Sequence, residues 1–193
     1  MPTSPVTKYI AREIPKVSLR DFNDRIDEIT TQLVDAAENI GFFSIVEHGI
    51  SLKEIEEAFR TSESFFNLPD DVKATVPWSP KNVGWEKNSQ VRPSTGAADE
   101  KESYQLQFSK SMEGKWISDE YLPGFKDKSL EFMRQLQVVS EKLMICFARG
   151  LGFEDDYFVK VHDIKRDNSQ TTLRLLHYFA TPETIDGAVH HRA

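Results

Sequence analysis

One cysteine in 193 residues, Cys146, leaves no intrachain disulfide to be made, and neither a disulfide-stapled scaffold nor a cysteine-rich zinc module fits. Cys146 sits in an apolar helical run, where a buried small hydrophobe is expected rather than a nucleophile. Positive charge is also short, with 24 Lys and Arg against 31 Asp and Glu, a net charge of −7 and a pI near 5.3. Binding a phosphate backbone needs a basic face, so no nucleic acid is expected as a partner. No stretch has the length and apolarity of a signal peptide or a membrane span, so no membrane partner is expected, and the cytoplasm is the expected compartment. No internal repeat, P-loop, nucleophile elbow, zinc pattern or HExxH is present. Gly150-Leu151-Gly152 is not a dinucleotide fingerprint, because Asp155 stands where the third glycine belongs and a helix precedes it.

What is present is an ordinary globular composition, 39% hydrophobic and 28% charged, in a chain long enough to bury a core. Residues 1–13 read as a flexible arm and residues 14–193 as the folded domain. Ile14–Val17 predicts a short edge strand. Apolar residues at Phe22, Ile26, Ile29, Leu33, Ala36 and Ile40 predict a helix closed by Gly41. Phe42–Val46 predicts a buried strand, and Ser51 with Glu54 forms a capping box that starts a second helix. Pro69-Asp70-Asp71 predicts a further helical turn.

From Val76 to Ala98 the periodicity lapses among prolines and glycines, which predicts a long loop with Trp78 and Trp85 as packing anchors. Lys101–Phe108 alternates with period two, and Glu102 falls on the apolar face with Tyr104, Leu106 and Phe108. Two readings of Glu102 stand: an inward carboxylate, or a residue at the frayed start of the strand that reaches water. A long helix is predicted from Ser129 to Arg149, with Leu130, Met133, Leu136, Val139 or Ser140, Leu143 and Phe147 as its core face. A short helix through Val161 and a strand over Thr171–Phe179 complete the pattern. That last strand carries Arg174, His177 and Tyr178, an unusual load for a buried strand. None of the five histidines (48, 162, 177, 190 and 191) has an acid two residues on, so spacing alone supports no metal site and no catalytic mechanism.

The runs Leu33–Ile50 (LVDAAENIGFFSIVEHGI), Phe65–Lys73 (FFNLPDDVK), Gly84-Trp85, Lys101–Tyr104 (KESY) and Leu173–Tyr178 (LRLLHY) occur in an order that resembles the N-terminal part of iron(II)- and 2-oxoglutarate-dependent oxygenases of the isopenicillin N synthase-like group. The resemblance runs from about Ile14 to the end of the chain. It implies an α+β fold, the N-terminal helices and first strands of a distorted double-stranded β-helix or jelly-roll, with the barrel incomplete in this chain. It implies iron(II) and 2-oxoglutarate as cofactors of the intact protein, and oxidation of a small organic substrate. The family's Gly-x-His-x-Asp is not found before Ala193, and His190 and His191 lack the aspartate, so no metal ligand is carried over and this chain alone is expected to bind neither cofactor stably.

By the same resemblance Tyr178 matches an aromatic position that contacts 2-oxoglutarate, while Arg174 and Glu102 match positions near substrate. Bland roles stand beside these: a core tyrosine for Tyr178, and for Arg174 an ion pair with an acid such as Glu102. Phe179 departs from the proline usual after that tyrosine. The implied activity is that of a dioxygenase represented by a truncated, inactive chain. The alternative is a non-catalytic binding or scaffold domain derived from one. An incomplete barrel also predicts unpaired sheet edges and marginal stability for the chain alone.

Overall fold

The computed structural model describes residues 13–89, 91, 96 and 99–180. Its elements in chain order are β1 (Lys16–Ser18), α1 (Ile26–Asn39), β2 (Ser44–Val46), α2 (Leu52–Phe66), α3 (Asp70–Lys73), β3 (Gly84–Lys87), β4 (Lys101–Gln107), α4 (Phe125–Gly150), α5 (Tyr157–Val161) and β5 (Thr172–Tyr178). The α+β class expected from the sequence is the one observed, and among the described residues no sheet closes into a barrel. No described helix is long and apolar enough to cross a membrane.

The elements group into two compact units, one built from the chain up to Ile50 with Gln137–Val161, the other from Ser51–Leu136 with the chain from His162 onward. In the first, β1 and β2 pair in parallel with Lys16 opposite Ser44 and Val17 opposite Ile45. The crossover between them is α1, which buries Ile29, Leu33 and Ala36 at the expected helical spacing. Gly41 ends it as anticipated: at φ +84° its N–H reaches back to the Ala36 carbonyl at 2.9 Å. The helix begins at Ile26 rather than Phe22, because Asp21 takes a positive φ and a turn intervenes; Phe22 is nonetheless buried, from outside the helix. Val17, Leu19, Phe22, Ile29, Leu33 and Cys146 form this unit's core. Cys146 is fully buried, and burial pushes its thiol pKa up, which fits an inert small hydrophobe.

The second unit holds the antiparallel sheet β3-β4-β5. Helix α2 starts at the predicted capping box, with Glu54 N–H donating to the Ser51 hydroxyl and Ser51 N–H donating to the Glu54 carboxylate. Its Phe65 is fully buried, with ring centroids 4.5 Å from Tyr104 and 5.2 Å from Phe125. Helix α4 begins four residues before the predicted start, and Phe125 and Met133 serve this core. Its later residues Val139, Leu143 and Cys146 serve the core of the other unit. Of the predicted face, Met133, Val139 and Leu143 serve one core or the other, while Leu130 and Leu136 are half-buried and belong to neither.

The predicted loop at Val76–Ala98 is corrected in one segment. Gly84–Lys87 is strand β3, held by β4 with Gly84 opposite Gln105 and Lys87 opposite Glu102. Four residues reading GWEK carry no alternation of their own; the partner strand supplies their order. Gly84 is required there, since φ is +98° and a Cβ would lie 2.4 Å from the Pro77 carbonyl oxygen. Trp85 packs against the core, whereas Trp78 is 43% exposed and anchors little.

Candidate functional site

The register of the three-stranded sheet sorts its side chains. Residues directly opposite one another share a face, and alternate residues change face. Lys87, Glu102 and His177 occupy one rung, and Trp85, Tyr104 and Leu175 the next on the same face. Glu86, Ser103 and Leu176 occupy a rung of the opposite face, as do Gly84, Gln105 and Arg174, while Lys101 and Tyr178 are paired there at the strand ends. The first face packs on α2 residues Phe65 and Phe66; the second is polar.

Glu102 is 2% exposed, so the inward reading is the one observed. Three donors meet its carboxylate: Lys73 Nζ at 2.7 Å, Trp85 Nε1 at 2.7 Å and His177 Nδ1 at 2.9 Å. Lys73 is buried as well and also donates to the Phe66 carbonyl at 3.0 Å and to Asp70 at 3.1 Å. Burial raises the carboxyl pKa of Glu102. The bonds from Lys73, His177 and Trp85 and the charge of Lys73 outweigh it and hold the pKa below the usual carboxylate range. The group is therefore an ionised carboxylate with its acceptors filled, joining α3, β3 and β5 through β4.

On the polar face Arg174 Nη2 donates to Glu86 Oε1 at 3.0 Å and to Ser103 Oγ at 3.1 Å. Ser103 Oγ donates in turn to Glu86 Oε1 at 2.9 Å, and Gln105 Nε2 lies 3.5 Å from the same oxygen. Ser103 and Gln105 are buried, and the Glu86 side chain is 14% exposed. Arg174 Nε is buried without a hydrogen-bond partner. Tyr178 is 40% exposed at the end of β5, with Lys101 Nζ 5.7 Å from its ring centroid.

The structure thus brings Arg174 and Tyr178 to one face and Glu102 to the other. The bland reading of Arg174, an ion pair with an acid, is observed, but the acid is Glu86 and not Glu102, which lies opposite His177 on the other face of the sheet. Glu102 and Arg174, both matched by the resemblance to positions near substrate, therefore lie on opposite faces of the sheet. Glu86 went unnoticed in the sequence because it lay in a segment read as loop. Among the described residues no group of three His, Cys, Asp or Glu could hold a metal ion. His190 and His191 lie outside the described residues.

Residues 14–123 match the family model for the N-terminal region of non-haem dioxygenases, described as that of the dioxygenase in morphine synthesis. The chain belongs to the non-haem dioxygenase family. Within it, the 2-oxoglutarate-dependent dioxygenase frbA of Dothideomycetidae sp. (strain 11243) is 30% identical over 190 residues, which cover 88% of this chain and 55% of frbA. Gibberellin 2-beta-dioxygenase 2 of Arabidopsis thaliana is 28% identical, with 96% and 52% covered. The full-length Neurospora crassa T7H, solved in complex with alpha-KG, superposes with a TM-score of 0.75 at 25% identity, covering 90% of this chain and 57% of that one. The chain spans about half the length of the curated dioxygenases it matches. This likeness places the described strands and helices in the double-stranded β-helix fold of 2-oxoglutarate oxygenases.

Proposed function

We propose that this chain forms the helical support and the first cofactor-facing strands of an iron(II)- and 2-oxoglutarate-dependent oxygenase that oxidises a small organic substrate in the cytoplasm, and that the chain alone does not turn over 2-oxoglutarate. The observation that carries the reading is the polar face of β5, which presents Arg174 and Tyr178 on one side of a dioxygenase-family sheet. The Tyr178 phenol is a hydrogen-bond donor suited to a carboxylate of 2-oxoglutarate, and Arg174 to an acceptor on the substrate. Glu102, with its acceptors filled on the packed face, holds the sheet and does not touch substrate.

Iron does not fit the described residues, which offer no ligand cluster, so no step of the reaction is derived through it. The metal and 2-oxoglutarate supply the oxidising chemistry in such enzymes, while the protein positions substrate and excludes water. The second reading is a non-catalytic binding or scaffold domain derived from such an oxygenase.

Equilibrium dialysis of the 193-residue chain against iron(II) and 2-oxoglutarate, with assay of CO₂ release, tests the first claim. Substoichiometric iron and no turnover are expected, and stoichiometric iron with turnover would overturn it. The longer protein carrying this segment separates the two readings: turnover there supports the oxygenase, and its absence there supports the scaffold.

A further inference from the structure

In the first unit Leu151, Phe153, Tyr157 and Val161 are all at least 45% exposed, and none belongs to the core. Phe153 and Tyr157 stack face to face, with ring centroids 4.3 Å apart and planes 10° from parallel. Tyr157, Lys160 and Val161 share the outward side of α5, while Phe158 and Val159 are half-buried on its other side. The surface is also held still. Phe153 N–H closes the turn after α4 on the Ala148 carbonyl at 2.8 Å, with Gly152 at φ +77°. Arg149 then grips the Asp155 carboxylate through Nε and Nη2, each at 2.8 Å. A preformed apolar surface loses little freedom when it is covered, and a contiguous one on a soluble domain marks a place of contact.

The charges around the rings decide what covers them. Arg149 is shared between Asp155 and Asp27, the latter at 2.7 Å, so these three groups leave one negative charge. Asp156 and Lys160 pair at 2.7 Å and cancel. Glu154 makes no ion pair among the described residues and adds a second negative charge. It stands one turn before Tyr157, whose N–H donates to the Glu154 carbonyl at 2.9 Å. An acidic partner would be repelled here, and a second copy of this chain would bring the same excess of acid to the same rings. A basic partner is matched. Among cations, a guanidinium lies flat on an aromatic face and pairs with a carboxylate at once, which an ammonium does less well.

We infer that the Phe153–Tyr157–Val161 surface docks a basic segment of another protein, whose apolar side chains cover Phe153 and Val161 and whose arginine lies on the Tyr157 ring and pairs with Glu154. The apolar centre supplies the contact area and the acidic rim the choice of partner. The surface belongs to the first unit and the polar face of β5 to the second, so this docking role stands independently of the oxygenase reading.

The test titrates the 193-residue chain with an acetylated, amidated nonapeptide of Arg-Leu-Ala repeats and with its Lys and Glu counterparts, followed by NMR on the Tyr157 ring signals. Sedimentation of the chain alone runs alongside. The Arg peptide is expected to bind and shift those signals, the Lys peptide to bind about threefold more weakly, and the Glu peptide not to bind. Tyr157→Leu keeps an apolar side chain but removes the ring, and is expected to abolish the preference for Arg over Lys, whereas Tyr157→Phe keeps it. Glu154→Gln, at an exposed position that the fold does not depend on, is expected to weaken both basic peptides about threefold. Equal binding of the Arg and Lys peptides, no shift of the Tyr157 signals, or unchanged affinity in Glu154→Gln would each overturn the proposal. So would binding of the Glu peptide, which means an apolar contact alone, or self-association that Tyr157→Leu removes, which means a second copy.

Discussion

Replacing Lys73 by methionine would strip the ammonium from a carboxylate that is 2% exposed, while keeping most of the lysine's packing volume. Removing one partner of a buried ion pair costs about 3–5 kcal/mol, because the remaining charge stays desolvated. Here Glu102 keeps its bonds from Trp85 and from His177, and the latter side chain is 47% exposed. The lower end of the range, about 3 kcal/mol, is therefore expected. Glu102→Gln should lose less, about 2 kcal/mol, since Lys73 retains Asp70 and the Phe66 carbonyl. Replacing both residues by apolar ones should cost less than the sum, with a coupling of at least about 1 kcal/mol.

Urea unfolding followed by tryptophan fluorescence measures these values. With a slope of about 2 kcal/mol/M, Lys73→Met should lower the midpoint by about 1.5 M. The same pair predicts a pH dependence. The folded pKa of Glu102 is lowered relative to an unfolded value near 4.3, so its contribution is fully present above that value and is lost as pH falls through the folded pKa. Lys73→Met removes one of the causes of the lowering, so the decline of stability in acid should flatten. A loss under 1 kcal/mol for both single variants, or strict additivity in the double, would refute the claim that Glu102 holds the sheet.

Three further outcomes follow from single contacts. Ser51→Ala removes the hydroxyl that accepts from Glu54 N–H and should cost about 1 kcal/mol by the same unfolding assay. Gly84→Ala should cost 2 kcal/mol or more, read as a drop in melting temperature, because the new Cβ meets the backbone of Pro77 in a region of φ that L-residues avoid. Tyr178→Phe in the longer protein should raise the KM for 2-oxoglutarate about fivefold while leaving the melting temperature within a degree or two, as a lost hydrogen bond to the co-substrate requires.

Much of the second unit was legible because its signals are local. The capping box fixed the start of α2 to the residue, and the alternation of Lys101–Phe108 put Glu102 on the packed face. Strand β3 was not legible, since its order is lent by β4, and with it went Glu86, the partner of Arg174. The resemblance pointed to Arg174, Tyr178 and Glu102 together, but family likeness carries no register. Only the pairing of Glu102 with His177 and of Gln105 with Arg174 shows that the three do not share a face. Lys73 was invisible for another reason: a lysine after two aspartates reads as a solvated helix end, and its burial depends on a carboxylate 29 residues away.

The two polar clusters are tied by that register. Glu102 and Ser103 are consecutive residues of β4, one meeting Lys73 on the packed face and the other meeting Arg174 on the polar face. A slip of one residue would put Ser103 in the place of Glu102 against Lys73, or, in the other direction, Lys101 there and Glu102 against the Arg174–Glu86 pair. Both slips are costly: each leaves the buried Lys73 ammonium without its carboxylate, and the second also sets two carboxylates on one guanidinium. The Lys87–Glu102–His177 rung lies next to the Glu86–Ser103–Leu176 rung, so the bonds from Glu102 to β3 and β5 lock the pairing within one residue of Glu86. The buried carboxylate acts on the polar face without touching anything there: it fixes which residues of β4 stand beside Arg174.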